Sequence, residues 1–307
     1  MLGAIGAIAR GDVAGLEAAL NDDVVAMRVV STDPPYDGYF HGATLLHHTA
    51  MNPVDARGEV CEMAKLLLDA GADVDAVTLA GPSQPKDIGW TTLGLAATSV
   101  SARANGCQKK LMDLLVVRGA DLDARNGGPL MGALYYGEIE AARWLVAKGA
   151  ACDAVAAAGL GDVRRLATFF EAGGLRDGAH SLAHYSQVDL EDEALRTDRA
   201  HVLGLALVYA AKNGHVDAIR FLVDDLEAPV NARPFWDYRA TPLHWAAHAN
   251  HLPVATFLLS RRADPGARDA CFDATPLAWH RHLHDDQDDP LFEALLAVEE
   301  EDEHHQH

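Results

Sequence analysis

One stretch constrains the fold more than any other: TPLHWAAHANHLPVATFLLSRRADPGA, residues 241–267. Thr241 can cap a helix, and Pro242 falls at the first helical position, where a missing N–H costs nothing. Leu243, Ala246 and Ala247 follow at helical spacing and mark a buried stripe. Alanine in that stripe lets a neighbouring helix approach closely. Asn250 and His251 interrupt the pattern. Pro253 opens a second helix with Val254, Phe257 and Leu258 at i, i+3 and i+4. Ala263, Asp264 and the Pro265-Gly266 pair then make a turn.

The same frame recurs along the chain. Residues 44–76 carry TLLHHTA and MAKLLLDAGADVDA, and residues 91–124 carry TTLGLAA and LMDLLVVRGADLDA. Residues 128–154, 205–232 and 275–296 repeat it, and weaker copies stand at the N-terminus and over 155–170. GAD turns at Gly71 and Gly119, with Gly149 in the equivalent place, suit a helix exit through a left-handed cap. The pattern resembles the ankyrin repeat, whose TPLHxAA and GADVNA signatures match here. The resemblance implies an all-α ankyrin-repeat solenoid of about eight helix-turn-helix units with long connecting fingers.

Departures from the frame set the expected organisation. Residues 44–76 span 33 positions, 91–124 span 34 and 241–267 span 27, so two units are longer by six and seven residues. Both insertions, NPVDARGEV and SVSARANGC, fall between the two helices, as an extended helix end or a longer loop. Segment 173–204 fits no repeat. The expected layout is an N-terminal sub-stack over 1–172 and a bridging segment over 173–204. A C-terminal sub-stack follows over 205–296, then a disordered acidic and His-rich tail over 297–307.

Charge and cysteine usage narrow the function. The formal net charge is −20 over 307 residues. That disfavours nucleic acid, because a binder must neutralise phosphates, and anionic membrane surfaces equally. It would steer a basic partner toward the protein, although excess acid also serves solubility. Cys61, Cys107, Cys152 and Cys271 lie far apart without CxxC pairing, which indicates neither a disulfide framework nor a zinc finger. A reducing cytoplasm fits best. The N-terminus lacks an early basic region and its apolar stretch is broken by Arg10 and Asp12, so it reads as mature structure. Abundant Ala, with Arg well above Lys, points to a GC-rich bacterial source.

Catalytic signatures are missing: there is no GxSxG, HExxH or P-loop. His280, His282 and His284 alternate, which on a helix spreads them around the cylinder and sets up metal ligation poorly. No cofactor or metal is expected. His47 and His244 occupy the His of the TPLH motif, and the resemblance gives them a structural role, bonding the Thr side chain and nearby backbone.

A solenoid of this kind works through one extended concave surface. The resemblance implies that turn tips and exposed positions of the first helices build it. Carried over unit by unit, those positions are Met51, Asn52, Thr98, Ser99, Tyr135, Tyr136, Lys212, Asn213, His248 and Ala249 on the helices. At the tips they are Phe40, His41, Asp87, Trp90, Trp236, Asp237, Tyr238, Phe272 and Asp273. Connectors are normally polar, so PPYDGYF, IGW and PFWDY stand out, and Trp and Tyr are favoured at interface hot spots. Local packing of the fingers is the competing account of these aromatics. The expected function is a non-enzymatic, monomeric interaction module or scaffold. It would bind a basic and apolar partner protein through Phe40, His41, Trp90, Tyr135, Tyr136, Trp236, Asp237, Tyr238, His248 and Phe272. One alternative is an enzyme or small-molecule or metal binder with a pocket at loops 29–43 and 78–90. Another is an inhibitor or immunity protein for a toxic enzyme.

Overall fold

The computed structural model describes residues 2–22, 41–51, 59–79, 89–171, 174–180, 182, 193–234, 237–284, 289–291 and 293–297. They fall into two compact units that meet in sequence at Ala151 and Cys152. Each is built from short antiparallel helix pairs in two layers, as the apolar spacing demands.

In the first unit the pairs are α1 (Leu2–Arg10) with α2 (Val13–Asp22), and α3 (Leu45–His48) with α4 (Val60–Asp69). Next come α5 (Thr92–Thr98), α6 (Val100–Ala104) and α7 (Gln108–Val117), then α8 (Ala124–Tyr135) with α9 (Ile139–Lys148). The first helices of successive pairs, α1, α3, α5 and α8, stack on one another, and α2, α4 and α7 form the outer layer. The core lies between the layers and is lined by Leu46, Met63, Ala96, Leu111, Leu130 and Leu145.

The second unit repeats the scheme. It contains α10 (Ala154–Gly159), α11 (Val163–Ala167) and a two-stranded hairpin of β1 (Phe170–Glu171) and β2 (Gly174–Leu175). It continues with α12 (Glu193–Thr197), α13 (Arg199–Lys212) and α14 (Val216–Arg220), which runs on through one π-helical turn. The last elements are α15 (Pro242–His248), α16 (Leu252–Ser260) and α17 (Pro276–Leu283), with further helical residues within 290–297. Here α10, α13, α15 and α17 stack inside, over α11, α14 and α16.

Local rules account for the helix ends. Thr91, Thr241 and Thr275 each accept the N–H three residues on, as N-caps do. Gly149 ends α9 at φ 108°, the left-handed exit expected of the GAD turns. The corresponding turn after α16 has Arg262 instead of glycine, and it adopts the same conformation at φ 64°. α13 begins at Arg199 on an Asp198 cap, inside the 173–204 segment.

The insertion at 99–107 takes neither expected form. It folds as a separate helix, α6, because Ser99 caps it by accepting the Ala102 N–H. Gln108 then donates its side-chain amide to the carbonyls of Ala96 and Ala97 at the end of α5, both at 3.2 Å. This closes over the helix end, so Thr98 and Ser99 are buried rather than presented to a partner, and Met51 is buried as well. Of the other insertion, 52–60, residues 52–58 lie outside the described residues, and Val60 opens α4.

Gly132 shows how tightly the inner layer packs. A Cβ there would meet the Trp90 ring at 2.6 Å. Helix propensity alone favours Ala over Gly by roughly 0.5–1 kcal/mol. Overpacking costs about 1–3 kcal/mol. Gly132→Ala is therefore expected to destabilise the first unit, read as a lower urea midpoint, whereas an unchanged or raised midpoint would refute this packing account.

Candidate partner-binding surface

The site begins with the clips that hold each finger. His47 Nδ1 accepts the Thr44 N–H at 3.0 Å. Its Nε2 therefore carries the hydrogen and faces the carbonyls of Ala76 at 2.9 Å and Trp90 at 3.0 Å. The ring is fully buried, and burial pushes its pKa down to about 4 against the opposing pull of those two carbonyls. His244 makes the same clip, with the Thr241 N–H at 3.2 Å and the Ala274 carbonyl at 3.0 Å. Both histidines thus tie an inner helix to the following finger, the structural role that the resemblance implies.

Units that lack this histidine hold their fingers by other means. In α5 the position is Gly94, and the Trp90 ring lies against it. In α17 it is Ala278, and the Trp279 indole N–H bonds Asp269 Oδ2 at 2.9 Å. At α10 the cap is Asp153, which accepts the Ala156 N–H at 2.9 Å and the Leu182 N–H at 3.1 Å. His180 Nδ1 lies 3.3 Å from the same carboxylate, with both side chains fully buried. That histidine comes from the segment that fits no repeat frame, 27 residues along the chain.

Two aromatic groups rise from this framework. In the first unit, finger residues 77–79 run between His41 and Trp90. Thr78 donates its N–H to the Trp90 carbonyl at 3.0 Å, and Leu79 donates to the His41 carbonyl at 2.8 Å. Trp90 is only 6% exposed, whereas Tyr136 at the end of α8 is 45% exposed. Their ring centroids lie 6.5 Å apart, and Tyr135 meets Tyr136 edge-on at 5.1 Å. Trp90 is therefore the packed base, and Tyr135 and Tyr136 are the reachable part. His41 is half-buried, and its Nδ1 has no hydrogen-bond partner among the described residues.

In the second unit Trp245 and Trp279 form a buried wall, perpendicular with centroids 5.1 Å apart. Tyr238 leans edge-on against Trp279 at 5.6 Å, and Phe272 lies on Tyr238 at 5.3 Å. Tyr238 is 38% exposed and Phe272 is 67% exposed. His248 packs on Trp245 at 5.4 Å, and the Lys212 ammonium lies 3.5 Å from the Trp245 centroid, a cation–π contact.

The tip that carries Phe272 is rigid because Asp269 organises it. Oδ1 accepts the N–H groups of Cys271 and Phe272, and Oδ2 accepts those of Ala274 and the Trp279 indole. Burial pushes the Asp269 carboxyl up, but the hydrogen bonds outweigh it and hold the group below the usual carboxylate range. Ala270 N–H then joins this tip to the Tyr238 carbonyl at 2.7 Å. Tyr238 itself sits at φ 66°, a conformation that a bulky residue rarely adopts. Asp273 pairs with Arg268 at 3.4 Å.

Phe40, Asn52, Asp87 and Trp236 lie outside the described residues, as does the side chain of Asp237. So does most of loops 29–43 and 78–90. Among the described residues, no group of three or more His, Cys, Asp or Glu could hold a metal ion, and no helix is long and apolar enough to cross a membrane.

A family model described as ankyrin repeats (3 copies) matches residues 181–269, and the single ankyrin-repeat model matches residues 41–79. The chain is an ankyrin-repeat protein. The three-copy match begins inside the 173–204 segment and takes in α12 and the whole of α13. The crystal structure of the human ASB11 ankyrin repeat domain is similar over 96% of either chain, at 20% identity and a TM-score of 0.43. Ankyrin repeats are a protein–protein interaction module and generally lack enzymatic activity. In this ankyrin-repeat protein the clips, wall and tips are three levels of one construction, each holding the next.

Proposed function

We propose that the protein binds another protein through the aromatic side chains that its fingers and inner helices expose. The observation that carries this reading is Phe272, two-thirds exposed yet fixed by the Asp269 hydrogen bonds and the Tyr238 ring. A large ring held at the surface by a buried carboxylate loses little freedom when a partner covers it, which is the property of an interface anchor. Tyr238 and His248 extend the surface in the second unit, and Tyr135 and Tyr136 supply a second group above Trp90. Phe40, His41, Trp236 and Asp237 complete the proposed surface. A net charge of −20 steers a basic partner toward it.

The test is affinity capture with the wild-type chain, followed by affinity measurements on the proteins retained. Tyr238→Ala with Phe272→Ala is expected to weaken binding by tenfold or more, since a hot-spot truncation removes about 2 kcal/mol or more. Phe272→Ala alone should change thermal unfolding little, because that ring is mostly exposed, and should still weaken binding. Undiminished affinity in a folded double variant would sink the proposal.

A further inference from the structure

Residues 228–280 hold five arginines against four aspartates, in a chain whose net charge is −20. Arg233 and Arg268 bring two of these cations to the finger tips that carry Tyr238 and Phe272. Arg233 is exposed, yet its guanidinium is held at two points. Nε–H donates to the Arg239 carbonyl at 3.1 Å, and Nη2 donates to the Arg268 carbonyl. One side chain therefore joins both tips, beside the Ala270 N–H that bonds the Tyr238 carbonyl at 2.7 Å. The joint holds an unusual backbone. Tyr238 and Arg239 follow each other in the left-handed region, at φ 66° and 51°. Bulky residues adopt it only where their surroundings over-determine it.

The nearby carboxylates are engaged elsewhere. Asp269 is buried and accepts four N–H groups. Asp273 faces Arg268 at 3.4 Å. Among the described residues no carboxylate pairs with Arg233. Its two partners are backbone carbonyls, which fix the cation without neutralising it. A guanidinium has five N–H donors, and two of them are used here. The others lie on Nη1 and Nη2, the pair of nitrogens that grips a carboxylate or a phosphate by two oxygens.

We propose that Arg233 seats an oxyanion of the partner protein, a carboxylate or a phosphate that stands next to the apolar side chains received by Tyr238 and Phe272. The proposal rests on the reading of those aromatics as a binding surface, and it names the chemistry which that surface selects. The overall charge steers the encounter at long range, whereas the groups that meet at the tips decide the contact. A cation already pinned in place loses little freedom on pairing. The charge-assisted bond then forms beside two rings that exclude water once a partner covers them.

The experiment offers the full chain pools of immobilised peptides, random except for a central Glu, phosphoserine, Gln or Lys. Wild type should be retained about tenfold more strongly on the Glu pool, the phosphoserine pool or both than on the Gln pool. Retention on both assigns the seat to carboxylates as well as phosphates, and retention on phosphoserine alone assigns it to a phosphate. Arg233→Gln should remove the preference, and Arg233→Glu should turn it toward the Lys pool, a reversal that a merely loosened tip cannot produce. Equal wild-type retention on the Glu, phosphoserine and Gln pools overturns the proposal without recourse to any variant. So does a preference that survives Arg233→Gln. Tyr238→Ala with Phe272→Ala separates the two readings. If that double variant loses retention on every pool while wild type shows no oxyanion preference, the aromatic surface stands and only the Arg233 seat falls. If it is retained as well as wild type, both fall.

Discussion

Acidification from pH 6.5 to 4 is expected to unfold the first unit. His47 and His48 are both buried, and both have their pKa lowered to about 4. Burial is the leading cause in each, and the charge of His47 adds to it at His48. A pKa below its unfolded value means that the fold favours the neutral ring. The stability is therefore complete above pH 6.5 and is lost as pH falls toward 4. Each ring contributes about 3 kcal/mol at the bottom of that window. Two such losses consume much of a typical margin of ~5–15 kcal/mol. Urea denaturation at stepped pH should show the midpoint falling steeply below pH 6.5, and His48→Gln should reduce the slope. A midpoint flat down to pH 4.5 would contradict the burial argument.

Trp279→Ala is expected to be the most damaging single substitution in the second unit. The indole is buried against Trp245, Tyr238 and His244, and its N–H bonds Asp269. Removing a packed aromatic of this kind costs ~3–5 kcal/mol. The loss of the indole donor then weakens the Asp269 clamp that holds the Phe272 tip. Trp279→Phe keeps most of the wall and loses only the hydrogen bond, so about 1–2 kcal/mol is expected. Guanidinium denaturation followed by near-ultraviolet dichroism would separate the two variants. An Ala variant within 1 kcal/mol of wild type would mean that the wall is not the anchor described.

The repeat frame is legible in the sequence because it rests on short-range physics. A Thr that caps the N–H three residues on, a Pro in the first turn and a Gly or its substitute in the left-handed exit are all local contacts. The same holds for the clip histidines: Thr44 and His47, like Thr241 and His244, are three residues apart, so a motif carries them. Even the unit with RAD in place of GAD keeps its turn, since Arg262 tolerates the same backbone region.

The features that escape a sequence reading lie farther apart along the chain. Asp153 meets His180 across 27 residues, and no local spacing announces that pairing; the one clue is an Asp standing where a capping Thr belongs. By its place near a finger tip Trp90 reads as a surface aromatic, but Gly94 and Gly132 leave a slot that its ring fills. Tyr136, which its repeat position marks as exposed, keeps that place above the ring, so the pair divides into a buried base and a surface residue. Insertion 99–107 can be located by length alone, yet its helix depends on Ser99 and Gln108 bonding groups that only the folded repeat presents.

The sequence by itself therefore determined the repeating helix pairs and the histidine clips, because caps, turns and apolar stripes act over three to four residues. Tertiary structure alone decided which aromatics are wall and which are surface. Those outcomes depend on the groups that distant segments bring to each side chain: a glycine slot for Trp90 and open solvent for Phe272.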